Sequence, residues 1–264
     1  MPEMRGEELW VAACVEAALP GVRVAQHDDG SRPSMYDLDL LRDGVPFAAM
    51  EVTAAADAES IELWNLVNGS NERWTEPDML GGWMVTVTPQ ARAKRLRTDL
   101  PSLLRILESG AEEADRHAAV ERLRSLGVVS ANRSATDFPG SIYLTLERAH
   151  ERTGGFVPLT GDGLVAWLDE WISEPAREHN VEKLRAAAHP ERHLFVLLPG
   201  FTTAPFSASD VLMRPDGPLP EVAPALPEGV TDVWLMSTWS TGDLFHFSVK
   251  GWARSPKVFE VAGA

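Results

Sequence analysis

The sequence predicts an α/β fold, a central mixed sheet flanked by helices, with further α/β elaboration toward the C-terminus. Two observations carry this. Segments with period-two apolar alternation recur between segments with helical apolar spacing. One stretch, Tyr36 to Asp57, concentrates carboxylates on two predicted strands around an Asp43-Gly44 turn, a strong hairpin signal.

In chain order, Leu9, Trp10, Ala13, Cys14 and Ala17 give a helix over Glu3 to Leu19, closed by Pro20-Gly21. Val22 to Gln26 alternates as a short strand, and His27-Asp28-Asp29-Gly30 marks a turn. Tyr36, Leu38 and Leu40 then alternate with Asp37 and Asp39, as in a half-buried strand. From Phe47 to Thr53, Ala48, Met50 and Val52 share one face, and Ala49, Glu51 and Thr53 share the other.

Ala54 to Arg73 contains a predicted helix carrying Ile61, Leu63, Trp64 and Val67, and Gly82 to Thr88 reads as a buried strand closed by Pro89. The order so far is helix, three strands, helix, strand. Residues 1–90 are therefore expected to form a core, and 91–264 a helical insertion with C-terminal strands completing the same domain. That second part has helices over Gln90 to Glu108, with a break or kink expected at Pro101, and over Ala111 to Leu126. Strands follow at Val128 to Ala131 and Ile142 to Leu146, then an apolar helical face over Gly163 to Ser173 that continues to about Ala188. Leu194 to Leu198 is a buried strand, Phe201 to Glu228 a Pro- and Gly-rich surface loop, and Val233 to Ser237 with Leu244 to Val249 a closing hairpin.

Hairpin register decides whether the carboxylates can cooperate. A strictly regular two-residue turn at Asp43-Gly44 would set Tyr36 opposite Glu51 and put Asp37 on the other face. A bulged turn pairing Arg42 with Pro46 would set Asp37 opposite Glu51 and Asp39 opposite Ala49. Pro46 cannot donate to the ladder, so a bulged turn is predicted. Asp39, further from the level of Glu51, is expected to be surface charge, and His27 a turn residue.

Composition narrows the function. The 264 residues are 44% hydrophobic, ordinary for a globular protein. The N-terminal segment is interrupted by Glu7, Glu8 and Glu16, so it reads as an amphipathic helix rather than a signal peptide, in a soluble cytoplasmic protein. Arginine dominates the basic residues, with only Lys94, Lys183, Lys250 and Lys257 as lysines, a usage suggesting a high-GC bacterial source. The single cysteine, Cys14, excludes an internal disulfide and a multi-cysteine metal site, and is expected in the core. A net charge of -15 counts against strong non-specific binding of nucleic acid. Arg92, Lys94, Arg95 and Arg97 form a local basic stretch that would contact phosphates, or else a solvated helix face. His189-Pro-Glu-Arg-His193 resembles a two-histidine metal motif, yet Pro190 prevents the helical geometry such a motif uses. There is no Walker, nucleophile-elbow or dinucleotide fingerprint.

With Asp37 on the second strand and Glu51-Val52-Thr53 on the third, the chain resembles the PD-(D/E)xK restriction-endonuclease-like superfamily. The resemblance covers roughly the first 90 residues and extends to the strand at Leu194 to Leu198. It implies a Mg²⁺-dependent nuclease that hydrolyses phosphodiester bonds, with Asp37 and Glu51 as metal ligands. A first-helix glutamate, Glu7, Glu8 or Glu16, would assist, and Glu16 is the one assigned. Thr53 stands at the third motif position, where the family usually carries a lysine. Either another residue supplies that charge, with Lys94 and Lys183 the candidates, or the metal alone activates water, or the domain is a catalytically inactive pseudonuclease that serves as a binding module. An unrelated scaffold with an acidic surface hairpin is the remaining alternative.

Overall fold

A computed structural model describes residues 4–56, 78–88, 91–134, 142–147, 159–199, 202–238 and 240–258, with 61, 74, 76 and 140 as isolated positions. It divides into two compact units, residues 1–55 with 150–264, and residues 56–149.

The first unit is built on a seven-stranded mixed sheet in the order β1-β2-β3-β7-β8-β9-β10. Its strands are β1 (Val22–Gln26), β2 (Leu38–Arg42), β3 (Val45–Ala54), β7 (Glu191–Leu198), β8 (Asp232–Ser237), β9 (Leu244–Ser248) and β10 (Gly251–Ser255). β1, β2 and β3 are an antiparallel meander, β3 runs parallel to β7 and β7 to β8, and β8 to β10 close the sheet antiparallel. The central strands β7 and β8 are buried on both faces, which explains why Leu194 to Leu198 and Val233 to Met236 read as continuous apolar runs.

One face of this sheet packs on α1 (Gly6–Ala18). There Val11, Cys14 and Val15 meet Leu38, Leu40, Met50, Phe195 and Trp234. Cys14 is a buried thiol, held above its ordinary pKa by burial. The opposite face carries Ala49, Leu194, Val196, Val233, Leu235 and Phe245 against α4 (Asp162–Ile172) and α5 (Glu178–Ala186), which contribute Leu164, Leu168, Trp171, Val181 and Leu184.

The hairpin joining β2 and β3 has a regular two-residue turn, with Arg42 paired to Val45 and positive φ at Asp43 (51°) and Gly44 (78°). The irregularity lies one step further on. Leu41 pairs with Pro46 and Leu40 with Ala48, so Phe47 is the extra residue of a bulge. The predicted bulge therefore sits outside the turn. Because Arg42 and Val45 form the hydrogen-bonded pair that closes the turn, Pro46 falls at a position where the ladder needs no donor. From Leu40 onward the pairing is the one expected from the bulged alternative, with Asp39 opposite Ala49.

The second unit contains a three-stranded sheet of order β5-β4-β6, from β5 (Val128–Ser134), β4 (Gly82–Val87) and β6 (Ile142–Leu146). Helices α2 (Ala93–Glu108) and α3 (Glu113–Ser125) cover it with Leu96, Leu100, Leu104, Ala119 and Leu123. This corrects the expected core of residues 1–90. β4 pairs with β5 and β6, and the fourth strand beside β3 is β7, whose His193 pairs with Met50 across 143 residues of chain. A run such as Trp83 to Val87 fits any buried strand position, and only pairing decides which sheet receives it.

Three smaller expectations also change. α2 runs through Pro101 without ending there. The segment from 202 to 228 is not a solvated loop: Ala204, Ala208, Val211 and Leu212 are buried in the core of the first unit, around a short helical turn at Phe206–Ser209. β10 follows β9 as an additional edge strand. The helix expected over Ala54 to Arg73 lies outside the described residues apart from its first part and Ile61.

Candidate functional site

Asp37 lies immediately before β2 and Glu51 within β3. Leu38 pairs with Met50, so one further step brings Asp37 level with Glu51, and paired residues share a face. Two backbone donors, the N–H groups of His27 and Asp28, fix the Asp37 carbonyl at 2.8 and 3.2 Å. Both carboxylates are buried, Asp37 at 5% exposure and Glu51 at 2%. Acidic residues are almost never buried to this degree without partners or a cation.

Their partners are unequal. Asp37 Oδ2 accepts the backbone N–H of Val52 at 2.7 Å, and Oδ1 lies 3.4 Å from Arg5 Nη2. Glu51 Oε1 accepts from Lys183 Nζ at 2.7 Å, whereas Glu51 Oε2 is buried with no hydrogen-bond partner. Burial, and next the neighbouring Asp37 charge, push the Glu51 carboxyl up to about 8 against the pull of Lys183. Burial likewise raises Asp37, opposed by the Val52 N–H and by Lys183.

Lys183 arrives from α5. Asn180 and Lys183, three residues apart, lie on one face of that helix, and Glu51 and Thr53, two apart, lie on one face of β3. The two spacings match closely enough for Asn180 Nδ2 to donate to Thr53 Oγ1 at 3.2 Å while Lys183 reaches Glu51. Thr53 is thus tied to the helix that delivers Lys183. Of the two lysines considered from sequence, Lys183 lies at the carboxylates, and Lys94 belongs to the second unit.

The first-helix carboxylate nearest in this network is Glu8. It is buried, ion-paired with Arg5, and accepts the Arg5 backbone N–H at 2.8 Å, and Arg5 in turn reaches Asp37. Glu16 is occupied elsewhere, accepting the Val24 N–H at 2.9 Å and pairing with Arg23 at 3.0 Å, which assigns it to the α1–β1 junction. Helical geometry separates the two, since residues eight apart are more than two turns distant along α1.

Asp39 is engaged rather than a free surface charge. It accepts from Tyr36 Oη at 2.8 Å and meets His27 Nδ1 at 3.0 Å, with His189 Nε2 at 3.9 Å. His27 stacks on Tyr36 with ring centroids 3.8 Å apart. Burial and the Asp39 charge hold the Tyr36 hydroxyl well above its ordinary pKa.

His189 and His193 diverge, as Pro190 requires: His189 stands before β7, while His193 lies within it. Asp232 and His246, on β8 and β9, were not singled out from the sequence. They join His193 on the α1 face of the sheet, with His246 Nε2 2.9 Å from Asp232 Oδ1. The three are far apart along the chain and leave no spacing signal; only strand parity and pairing could have grouped them.

Arg92, Lys94, Arg95 and Arg97 are exposed around the start of α2 in the second unit, whose first turn carries no acidic residue. Compared with protein-family models, with curated proteins and with solved structures, the chain matches none.

Proposed function

We propose that this protein is a Mg²⁺-dependent nuclease-like phosphodiesterase whose third motif charge comes from α5 instead of β3. The observation that carries the reading is the 2.7 Å contact between Lys183 Nζ and Glu51 Oε1, beside Asp37 and with Glu51 Oε2 unpartnered. A lysine is placed against the carboxylate pair although the strand position that would normally hold it is Thr53.

Hard carboxylate oxygens suit Mg²⁺, and the orphaned Glu51 oxygen fits such an ion. Asp37 and Glu51 would hold it, with Glu8 and Arg5 supporting Asp37 from α1. When bound, the ion would lower the pKa of water and stabilise charge on the phosphate. Lys183 would supply fixed positive charge beside the reacting phosphate and orient the attacking water. Asn180 and Thr53 would hold α5 in register with β3, so that Lys183 meets Glu51 and not a neighbouring residue. The exposed cations Arg92, Lys94, Arg95 and Arg97 are the proposed contacts to nucleic acid.

A second reading is a non-catalytic binding module of the same architecture. Arg5 and Lys183 favour it, since together they place two fixed cations among Asp37, Glu51 and Glu8 and so neutralise much of the charge that a metal would.

The deciding experiment is cleavage of single- and double-stranded DNA and RNA by the purified protein with Mg²⁺ or Mn²⁺, against Asp37→Ala, Glu51→Ala and Lys183→Met. Metal-dependent cleavage lost in all three variants supports the nuclease. Cleavage that persists in them belongs to a contaminant or another site, and a wild type that binds neither metal nor cleaves is the binding module.

A further inference from the structure

From the geometry we infer that His193, Asp232 and His246 form a second, separate site for a transition-metal cation such as Zn²⁺. Met50, His193 and Asp232 are successive neighbours across β3, β7 and β8, and Trp234 pairs with His246 across β8 and β9. Paired residues share a face and adjacent residues do not. The cluster is therefore on the α1 side of the sheet, and Glu51, one residue after Met50, is on the other.

Three donors converge here. His246 Nε2 is 2.9 Å from Asp232 Oδ1, and His193 Nε2 is 3.9 Å from Asp232 Oδ2. Ligands at tetrahedral Zn²⁺ stand about 3.3 Å apart, given bonds of ~2.0–2.1 Å, so these separations bracket the required one. All three donor atoms lie within 4.8 Å of one another. The independent indication is His193 itself: at 1% exposure its Nε2 has no hydrogen-bond partner and is aimed at this space. Glu191 Oε2, 3.7 Å from that nitrogen on an exposed side chain, is a fourth donor in reach from the solvent side. Two imidazoles with one or two carboxylates select Zn²⁺, Co²⁺ or Ni²⁺ over Mg²⁺. Asp232 is steadied from behind by the Thr231 hydroxyl at 2.7 Å, as ligating carboxylates usually are.

One contact defines the metal-free form. Trp234 Nε1 donates to His193 Nδ1 at 3.0 Å, which leaves the ring proton on Nε2. For Nε2 to bind a cation, that proton transfers to Nδ1 and Trp234 gives up its hydrogen bond, with no net change in protons on His193. Trp234 is thus a competitor of the metal as well as the ring on which His246 stacks, at 3.7 Å between centroids.

The test is titration of the EDTA-stripped full chain with Co²⁺ and Zn²⁺ in excess Mg²⁺, read by calorimetry and by Co²⁺ visible absorption. One equivalent is expected, with affinity reduced at least ~100-fold in His246→Gln and Asp232→Asn, where a ligand is lost outright rather than a supporting contact. Asp37→Ala and Glu51→Ala should leave it unchanged. Trp234→Phe, which removes the competing donor and keeps an aromatic ring, should strengthen binding, a result that a purely structural histidine cluster would not give. Absence of saturable binding by the folded wild type, binding indifferent to His246→Gln and Asp232→Asn, or binding lost in Asp37→Ala would overturn the inference. Should both ligand variants fail to fold by circular dichroism, X-ray absorption of the Zn²⁺-loaded wild type decides: imidazole scattering from two histidines supports the site, and its absence overturns it.

Discussion

Lys183 on α5 donates to Glu51 on β3 at 2.7 Å across 132 residues of chain, and this contact joins the N-terminal meander to the helix that precedes β7. A buried carboxylate and a lysine so placed can serve stability, chemistry or both, and variants at Lys183 separate these.

Lys183→Met is expected to reduce metal-dependent cleavage by at least ~100-fold, the lower end of what a positioned charge or proton-transfer group contributes. Folding should survive, because Glu51 can take up a proton once its partner is gone. Lys183→Arg retains the charge but presents it as a planar fork, so it should recover only part of the rate. Initial rates and thermal melts of the three proteins check this.

Moving the lysine back to the strand tests whether α5 really substitutes for β3. Thr53→Lys combined with Lys183→Met should recover cleavage at least ~10-fold over Lys183→Met alone, given that the same charge would again neighbour Glu51. Thr53→Lys alone should lower stability by about 1 kcal/mol, since Asn180, 4% exposed, loses the hydroxyl it donates to. No recovery in the double variant would mean that the charge is needed specifically at the α5 position.

The pH dependence follows from Glu51. Its pKa rises from 4.5 to about 8 on folding, so the folded chain holds the extra proton between those values. The associated stability is complete below pH ~4.5 and is lost as pH rises through about 8, a decline on the order of a few kcal/mol. Asp232 acts in the opposite sense. Burial raises it, but His246, His193 and Thr231 outweigh burial and hold it below 3.8, so its contribution is lost only as pH falls through the acid range. Urea midpoints at pH 5, 7 and 9 in EDTA should fall with pH in the wild type and fall less steeply in Glu51→Gln, where the raised Asp37 carboxyl still acts in the same sense. Millimolar Mn²⁺ should flatten the wild-type curve by favouring the charged carboxylate.

Phe47 offers a test of register. Its deletion would make the hairpin regular while keeping every pair from Leu40 with Ala48 outward, including Asp37 beside Glu51. The face exchange is confined to the tip, where residues 42–46 are all exposed. The deletion should cost about 1 kcal/mol, chiefly the stacking of Arg42 over the Phe47 ring at 4.6 Å. Mn²⁺ affinity should stay within ~3-fold, since the two carboxylates keep their shared face. A folded deletion variant that no longer binds Mn²⁺ would refute this account of the bulge.

Much of this site was legible in the residues themselves. Alternation set Glu51 and Thr53 on one strand face, Asp43-Gly44 marked the turn, and Pro46 signalled that the hairpin had to be irregular nearby. Those are local matters, fixed by the two-residue period of a strand and by the φ angles that glycine and proline allow or forbid. The sequence also restricted the lysine to very few candidates, because the chain contains only four.

Tertiary structure decided the rest. It put β7, not β4, beside β3; it set Lys183 against Glu51 and linked Glu8 through Arg5 to Asp37; and it gathered His193, Asp232 and His246 from three strands. The physical reason is the same in each case. Apolar patterning reports that a strand is buried but not which strand it pairs with, and a side chain's neighbours across a sheet are set by that pairing rather than by distance along the chain.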